Sequence, residues 1–355
     1  MKILLVRLRQ IGDVVFTTPT IAALASHFPG AQLTYLVEPA AAPVVAGNAD
    51  LADVIVAPRA PGVRGLLADL ALGRRLARER FDIAIDFHGG PRASLLTWLS
   101  AAPRRIGYVV AGRSWMYTER VERPRALRAR HSVENQWDLL RALGLPGADP
   151  ARHPVSMPLT EESAAAVGRR LATFGVETAD RLVVMHVSAG NPFRRWPIDS
   201  FAAVAAALAR IDDTIRVVVT SGPSEAGAAA AVIDAARAQL PTLLRERVLA
   251  CGEFSLSELR ALVAVAALYI GGDSGPMHVA ATSQVPMVSL YGPTLPARSQ
   301  PWRSPHLRAI AIDVPGLPCR PCDQRRCEPG DFRCLTRITP HQVIAAATRL
   351  LAGNG

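Results

Sequence analysis

Short apolar runs alternate with amphipathic stretches along most of this 355-residue chain. The runs have the composition of buried strands, and the stretches have the spacing of helices. This alternation predicts a parallel sheet covered by helices on both faces. In the first half we predict strands at 2–7, 32–37, 54–57, 81–86 and 105–109, and helices at 18–27, 40–46, 66–80, 94–99 and 131–143. Thr18 is the expected N-cap of the first helix, with Pro19 in its first turn.

A stretch at 145–158, which contains prolines and glycines and few apolar side chains, separates this series from a second one. The second series has predicted strands at 182–187, 215–220, 248–251, 266–270 and 285–290, and predicted helices at 161–174, 199–210, 225–239, 255–265, 277–282 and 340–351. We therefore expect an α/β protein with two facing, doubly wound Rossmann-like domains, 1–158 and 159–355. Ligands of such sheets bind beyond the carboxyl ends of the strands, so the expected site is a cleft between the domains.

The segment 271–281 reads Gly-Gly-Asp-Ser-Gly-Pro-Met-His-Val-Ala-Ala and lies between a predicted strand and a predicted helix. Glycines allow close approach of the backbone, and the free N–H groups at a helix start favour an anion. Pro276 fits the first helical turn, where its missing N–H costs nothing. A glycine pair alone is typical of a tight turn between core elements. The nearby Asp273, Ser274 and His278 favour an anion-binding site.

The first strand is followed by the loop Arg-Leu-Arg-Gln-Ile-Gly-Asp-Val at 7–14. Only Gly12 is present where a dinucleotide fingerprint needs three glycines, and no Gly-Lys-Ser/Thr follows as in a P-loop. Asp13 lies near the carboxyl end of the strand, where a carboxylate facing the cleft can act as a general base. A helix-capping role explains the same residue equally well.

Two loops of the second half carry further polar candidates. Arg194 and Arg195 follow the strand at 182–187, where one arginine can neutralise a phosphate leaving group while the other lies in solvent. Glu225 follows the strand at 215–220 and suits either a ribose contact or ordinary helix-dipole chemistry in a first helical turn.

The formal net charge of +10 comes almost wholly from arginine, since Lys2 is the only lysine. A basic surface attracts phosphates, nucleic acid or anionic lipid. Aromatic residues make up only 5% of the chain and no recognised reader motif is present, which disfavours nucleic acid. No apolar run reaches the roughly 18–20 residues of a membrane span, and the N-terminus lacks the features of a signal peptide. We expect a cytoplasmic protein.

Four of the five cysteines cluster as Cys319-x2-Cys322-x4-Cys327-x6-Cys334. The spacing suits either a structural zinc or reduced thiols that hold a loop by packing. It does not match ferredoxin spacings, and stable disulfides are unexpected in the cytosol. Cys251, in a predicted strand, is expected in the core.

Taken in order, several segments resemble the lipopolysaccharide heptosyltransferases of glycosyltransferase family 9 over nearly the whole chain. Each segment alone is a weak signal, but the joint pattern is specific. The segments are Met-Lys-Ile-Leu-Leu-Val-Arg at 1–7, Ile-Gly-Asp-Val at 11–14, Thr-Pro at 18–19, Asp-Phe-His-Gly at 86–89, Arg-Ile-Gly-Tyr at 105–108, Arg-Arg-Trp-Pro at 194–197, Asp-Ser-Gly-Pro-Met-His-Val-Ala-Ala at 273–281 and Leu-Tyr-Gly-Pro-Thr at 290–294.

The resemblance implies a GT-B fold and inverting transfer of a heptose from ADP-heptose to the inner core of lipopolysaccharide, with no required metal or cofactor. The family's catalytic base falls on Asp13. Its diphosphate-binding segment falls on Asp273, Ser274, Gly275 and His278.

The same resemblance assigns the remaining donor contacts less sharply. The basic residue beside the diphosphate falls on Arg194 or Arg195, where the family often has lysine. Glu225 matches a ribose contact, and Phe254 matches a position near the adenine that other members fill with methionine.

The implied acceptor is a phosphorylated, lipid-anchored oligosaccharide, which suits a basic first domain. The candidate acceptor residues are Arg92, Arg104, Arg105 and Arg113. The same charge motivates the hypothesis of peripheral attachment to the anionic cytoplasmic face of the inner membrane.

Other function classes stay open on the sequence alone. They are a family member that uses another nucleotide sugar, a nicotinamide-dependent oxidoreductase, and a non-catalytic nucleotide-sugar- or metal-binding module built around the cysteines. The missing glycine fingerprint disfavours the oxidoreductase.

Overall fold

The computed structural model describes residues 1–123, 130–187 and 189–353. These form two compact units, Met1–Pro158 with Trp302–Ser304, and Leu159–Pro301 with Pro305–Gly355. Three residues of the expected second domain thus belong to the first unit. Their attachment is explained by two hydrogen bonds, because the Trp302 indole donates to the His153 carbonyl at 3.0 Å and the Val155 N–H donates to the Trp302 carbonyl at 3.0 Å.

The first unit is built on a six-stranded parallel sheet. Its strands are β1 (Lys2–Val6), β2 (Gln32–Val37), β3 (Asp53–Val56), β4 (Ile83–Asp86), β5 (Arg104–Tyr108) and β6 (Glu119–Val121), and its helices are α1 (Ile11–Val15), α2 (Thr18–His27), α3 (Gly62–Glu79), α4 (Pro91–Leu99) and α5 (Ser132–Arg141). The strand order is β3-β2-β1-β4-β5-β6. β1 is central and buried from Ile3 to Val6, which explains the apolar sequence of those four residues.

The second unit repeats this plan with another six-stranded parallel sheet. Its strands are β7 (Arg181–His186), β8 (Ile215–Thr220), β9 (Val248–Leu249), β10 (Leu268–Gly272), β11 (Met287–Tyr291) and β12 (Ala309–Asp313), and its helices are α6 (Glu161–Thr173), α7 (Ile198–Leu208), α8 (Ala226–Ala238), α9 (Leu256–Ala264), α10 (Gly275–Ala281), α11 (Pro296–Ser299), α12 (Arg333–Thr336) and α13 (Pro340–Ala352). The order is β12-β11-β10-β7-β8-β9. In each sheet all strands run the same way, so the loops after their carboxyl ends share one edge.

The two predicted α/β series are confirmed, with element ends shifted by a few residues. The strands β6 and β12 and the short helices α1, α11 and α12 were not predicted. The predicted helix at 40–46 is a 3-10 turn at Pro39–Val44. The N-cap prediction at Thr18 is wrong, because the N-cap of α2 is Thr17 and the Thr18 hydroxyl donates to the Val15 carbonyl at 2.8 Å. In the described part of the chain, no helix is long and apolar enough to cross a membrane.

Candidate active site

Asp13 lies in the first turn of α1, just beyond the carboxyl end of β1. Its carboxylate is 2.5 Å from the Arg7 guanidinium, and its side chain is 38% exposed. The Gln10 N–H points at the same carboxylate oxygen at a long 3.4 Å. Asp13 therefore caps the helix only weakly, and its strong contact is the ion pair. An accessible carboxylate held in a fixed direction has the properties of a general base.

Arg7, which the sequence analysis did not assign to the site, fixes that direction. The residue is buried, and its Nη1 donates to the Phe87 carbonyl at 2.6 Å while its other Nη meets Asp13. The sequence feature that could have identified Arg7 is its place as a charged residue at the end of an apolar strand. A guanidinium that is buried there needs polar partners, which indicates a role in a site.

A buried carboxylate organises the loop that receives Arg7. Asp86 ends β4 with no exposed surface, and it accepts the N–H groups of His88 at 2.8 Å and Gly89 at 2.9 Å. The Tyr117 hydroxyl donates to it at 2.6 Å. These bonds orient the Phe87 carbonyl between them. Burial and the charge of Arg7 hold the pKa of His88 below its ordinary value, so the imidazole is neutral at pH 7.

A pocket of about 230 Å³ opens at the same edge of the first sheet. Its wall includes Arg9, Arg59, His88 and Arg92. Arg92 is one of the predicted acceptor residues, but acidic partners already neutralise it. Its guanidinium binds the Asp69 carboxylate at 2.7 Å and the Glu38 carboxylate at 2.9 Å. Arg9 and Arg59 are exposed and supply the positive charge of this pocket.

The other three predicted acceptor arginines lie at two different edges. Arg113 follows β5 and donates to the Gly89 carbonyl at 3.2 Å, so it shares the edge of Asp13. Arg104 and Arg105 begin β5 and pair in register with the amino end of β4, at the opposite edge.

Both arginines at the amino edge have structural partners. Arg104 binds the Glu119 carboxylate at 2.7 Å, and Arg105 donates to the carbonyls of Met116 at 2.8 Å and Ala102 at 2.6 Å. The structure does not bring these two together with Arg92 and Arg113, because the direction of the strand separates residues that are close in sequence.

Asp273 is the centre of the predicted donor residues, at the carboxyl end of β10. Its buried carboxylate accepts from the Thr294 hydroxyl at 2.5 Å and lies 3.3 Å from Arg194 Nη1 and 3.5 Å from His278 Nε2. Burial by itself raises the pKa of this carboxyl. The contacts with His278, the charge of Arg194 and the Thr294 hydroxyl outweigh burial and lower the pKa to about 2. His278 thus lies in a buried polar cluster with Asp273.

The two neighbouring arginines diverge, which the sequence left open. Arg194 donates to the Asp273 carbonyl at 3.1 Å and to Gln324 at 2.7 Å, beside the start of α10. Arg195 donates to the Ala189 carbonyl at 2.9 Å and to the Glu225 carboxylate at 2.5 Å. Arg194 contacts the Asp273 cluster, and Arg195 contacts Glu225 in the loop after β8.

The N–H groups at the start of α10 have no side-chain cap. Ser274 is the N-cap, but its hydroxyl donates back to the Gly272 carbonyl at 3.3 Å and caps no N–H of the helix. Gly275 opens the helix and is half-buried. A Cβ at Gly272 would lie 3.2 Å from the Arg194 carbonyl oxygen, so glycine there allows the arginine loop to approach.

Phe254 lies in the loop after β9, at the same edge of the second sheet. Its ring is half-buried and the Arg170 guanidinium stacks over it at 4.5 Å from the ring centroid. The contact fixes one ring face by a cation–π interaction.

The cysteines are all free thiols. Cys251 is buried as expected, and burial raises its pKa to about 11. Cys334 is buried, while Cys319, Cys322 and Cys327 are half-buried. Within residues 1–123, 130–187 and 189–353, no three His, Cys, Asp or Glu side chains are grouped to hold a metal ion.

Comparison with known proteins identifies one family that this chain matches. The model of glycosyltransferase family 9 (heptosyltransferase) matches residues 70–331. A lipopolysaccharide heptosyltransferase 3 of Escherichia coli K12 is 26% identical over 348 residues, which cover 97% of this chain and 96% of that protein.

Solved structures show the same architecture. A glycosyltransferase family 9 protein from Veillonella parvula superposes with a TM-score of 0.83 at 25% identity, covering 99% of this chain and 97% of the other. The ADP-heptose lipopolysaccharide heptosyltransferase II of Escherichia coli superposes with a TM-score of 0.77 at 21% identity, covering 99% of both chains. The fold is therefore GT-B.

Proposed function

Because the chain belongs to glycosyltransferase family 9, we propose that it is an inverting enzyme that moves a heptose from ADP-heptose to the inner core of lipopolysaccharide. One observation carries the mechanism. The Asp13 carboxylate is accessible, yet it is held by a buried arginine at the carboxyl end of the central strand. That arrangement is what a base needs when it must accept a proton from an acceptor hydroxyl in one direction.

In the proposed reaction, Asp13 removes the proton from the acceptor hydroxyl as its oxygen attacks the anomeric carbon of the heptose. The bond between that carbon and the diphosphate breaks, and ADP leaves with the electron pair. The attack comes from the face opposite ADP, so the anomeric configuration inverts. Arg7 keeps the carboxylate aimed through the ion pair and does not itself touch substrate.

The donor is assigned to the carboxyl edge of the second sheet. Arg194 is the proposed cation that neutralises the leaving diphosphate, because the Arg194 guanidinium lies beside Asp273 at the start of α10. The N–H groups of Ser274 and Gly275 would add hydrogen bonds to the phosphate oxygens. Glu225 is the proposed ribose contact, oriented by Arg195.

Phe254 is the proposed neighbour of the adenine. One face of its ring carries the Arg170 guanidinium, so the opposite face is the one that we assign to the base.

The acceptor is assigned to the pocket at the edge of the first sheet. Arg9 and Arg59 are exposed cations in its wall and suit a phosphorylated sugar, while Arg92 shapes the wall through its carboxylate partners. Arg113 shares this edge and is retained as an acceptor residue. Arg104 and Arg105 are left out of the proposal, since both are engaged at the other edge of the sheet. A lipid-anchored acceptor also supports peripheral attachment to the anionic cytoplasmic face of a membrane.

The test is an ADP-release assay with a panel of nucleotide sugars and defined lipopolysaccharide acceptors. We expect release of ADP when ADP-heptose and an inner-core acceptor are present together. If ADP-heptose gives no release and another nucleotide sugar does, the protein is a member of the family that transfers that other sugar.

Asp13→Asn should retain ADP binding, and its rate of transfer should fall by at least about a hundredfold, the lower range of general-base catalysis. Asp50→Asn, in an exposed turn, is the matched control and should transfer normally. Full transfer by Asp13→Asn would overturn the assignment of the base.

A further inference from the structure

Helix α3 has two apolar faces, and only one of them is covered. The inner face packs on the first unit through the buried Leu72, Gly73 and Leu76. The outer apolar residues are Val63, Leu66, Leu67 and Leu70, which are between 36% and 74% exposed. We call these four residues the α3 stripe.

The α3 stripe is a continuous row and not a set of scattered side chains. Its members are spaced i, i+3, i+4 and i+7, which places them on one side of a helix. Single exposed leucines are ordinary on protein surfaces, but a contiguous exposed row marks an interaction site.

The charges around the α3 stripe are complementary to an anionic surface. Arg74 continues the row one turn beyond Leu70 and is exposed, as are the neighbouring Arg64 and Arg78. Both acidic residues of α3 are occupied elsewhere: Asp69 binds Arg92 at 2.7 Å, and Glu79 lies 3.5 Å from Lys2.

Two exposed tryptophans meet next to the neighbouring helix, Trp98 on α4 and Trp115 in the 3-10 turn at Ser114–Met116. α4 packs closely on α3, since a Cβ at Gly73 would be 2.7 Å from Leu99. Near this contact Trp98 is 41% exposed and meets Trp115, itself 57% exposed, edge to face at 5.6 Å. Tryptophan is enriched where one side is apolar and the other is wet, as at a membrane interface.

The opposite side of α3 connects this surface to the acceptor. Gly65 and Asp69 of α3 line the pocket that we assign to the acceptor sugar. A lipid-anchored acceptor that enters this pocket brings the bilayer to the same helix. This step rests on the proposed function.

We propose that α3 is the membrane-docking element of the protein. The α3 stripe enters the interfacial region of an anionic phospholipid bilayer, and Arg64, Arg74 and Arg78 contact lipid phosphates. The occupant of the stripe is a lipid surface and not a second copy of the chain.

The test is flotation of the full chain with vesicles of phosphatidylglycerol and phosphatidylethanolamine, with phosphatidylcholine vesicles as the neutral arm. Wild type should bind the anionic vesicles. Leu66→Glu/Leu67→Glu should lower the partition coefficient by about tenfold or more, because two exposed leucines leave the interface. Leu243→Glu/Val265→Glu, which changes residues 91% and 62% exposed on the second unit, is the matched control and should bind like wild type.

Thermal unfolding and light scattering complete the design. Since Leu66 and Leu67 are exposed, the variant should keep the melting temperature of wild type. Equal vesicle binding by wild type and Leu66→Glu/Leu67→Glu overturns the proposal. So does a wild-type dimer that the substitution dissociates, which would identify the stripe as a contact between copies.

Activity with a lipid-free, water-soluble inner-core acceptor separates this proposal from the proposed function. The stripe variant should release ADP at the wild-type rate with that acceptor while its vesicle binding falls. Vesicle binding through α3 without ADP release from any sugar would refute the heptosyltransferase and leave the docking surface standing.

Discussion

The Arg7 guanidinium makes two contacts that fix its direction, one with the Phe87 carbonyl and one with the Asp13 carboxylate. Replacing it by glutamine removes the ion pair and leaves the base free to turn. We expect Arg7→Gln to lower kcat by about tenfold to a hundredfold, the cost of losing a near-attack geometry. The KM for the donor should change little, because the proposed donor contacts belong to the second unit.

Steady-state kinetics with both substrates measure this split between kcat and KM. Arg75→Gln is a suitable control, since Arg75 forms an exposed pair with Asp53 at 3.7 Å. An Arg7→Gln enzyme with an altered donor KM and a normal kcat would contradict the positioning role. A melting curve must accompany the assay because Arg7 is buried.

Asp273 predicts a pH dependence of stability. Its pKa is about 2 in the folded chain and 3.8 in the reference state, so its contribution is complete above pH 4 and is lost as the pH falls toward 2. The shift corresponds to ~2 kcal/mol. Asp273→Asn should therefore be less stable than wild type at pH 6, and the gap in the free energy of unfolding should narrow between about pH 4 and pH 3. Denaturant titrations at several pH values measure it, and a gap that stays constant would refute the buried ion pair.

The residues that sequence could identify are those whose type and position both carry chemistry. Asp13 and Asp273 follow apolar strands, so their place at a sheet edge is predictable. The contacts that connect Asp86 to Arg7 through the Phe87 carbonyl are not predictable from sequence, because they depend on the direction of a backbone carbonyl. The separate partners of Arg194 and Arg195 likewise depend on the path of one loop.

At the scale of elements, every central strand was predictable, whereas of the four edge strands β3 and β9 were predicted and β6 and β12 were not. Ile3–Val6 of β1 and all of β10 are uncharged because neighbouring elements bury them. β6 has no fully buried residue, and β12 has one, so neither shows the apolar run of a central strand. The start of α3 was also predicted four residues late, because its first turn after Pro61 is exposed and follows no inward apolar pattern.

The turn between β10 and α10 yields a prediction about the donor site. Gly272→Ala places a Cβ 3.2 Å from the Arg194 carbonyl, so that loop must move by a few tenths of an ångström. We expect ADP to bind about tenfold more weakly, equivalent to ~1.4 kcal/mol. Isothermal titration calorimetry measures the dissociation constant.

Gly227→Ala is the matched control for this substitution. Gly227 is in α8, where an added Cβ meets nothing within 4 Å, so alanine should leave ADP binding unchanged and stabilise the helix slightly. Equal ADP affinity of Gly272→Ala and wild type would show that the turn does not position Arg194 for the donor.

Over the whole molecule, the excess positive charge extends beyond the residues of the proposed sites. The net charge of +10 includes arginines such as Arg104 and Arg92 that are committed to carboxylates. Composition therefore supports anionic substrates but does not locate them. The direction of the strands indicates better where anionic substrates bind. It shows which arginines of the first unit lie at the same sheet edge as Asp13 and which lie at the opposite edge.

The division of the chemistry between two units can be tested by hydrogen–deuterium exchange with ADP alone. Ligand binding slows local opening of the segments it contacts, by an amount that grows with saturation. We expect slower exchange in the loops after β7, β8 and β10, and unchanged exchange at 7–13, because ADP lacks the sugar on which Asp13 acts. Asp13→Asn should give the same map. Protection at 7–13 without protection around Asp273 would reverse the assignment of donor and acceptor, and the base would then have to be sought on the second sheet.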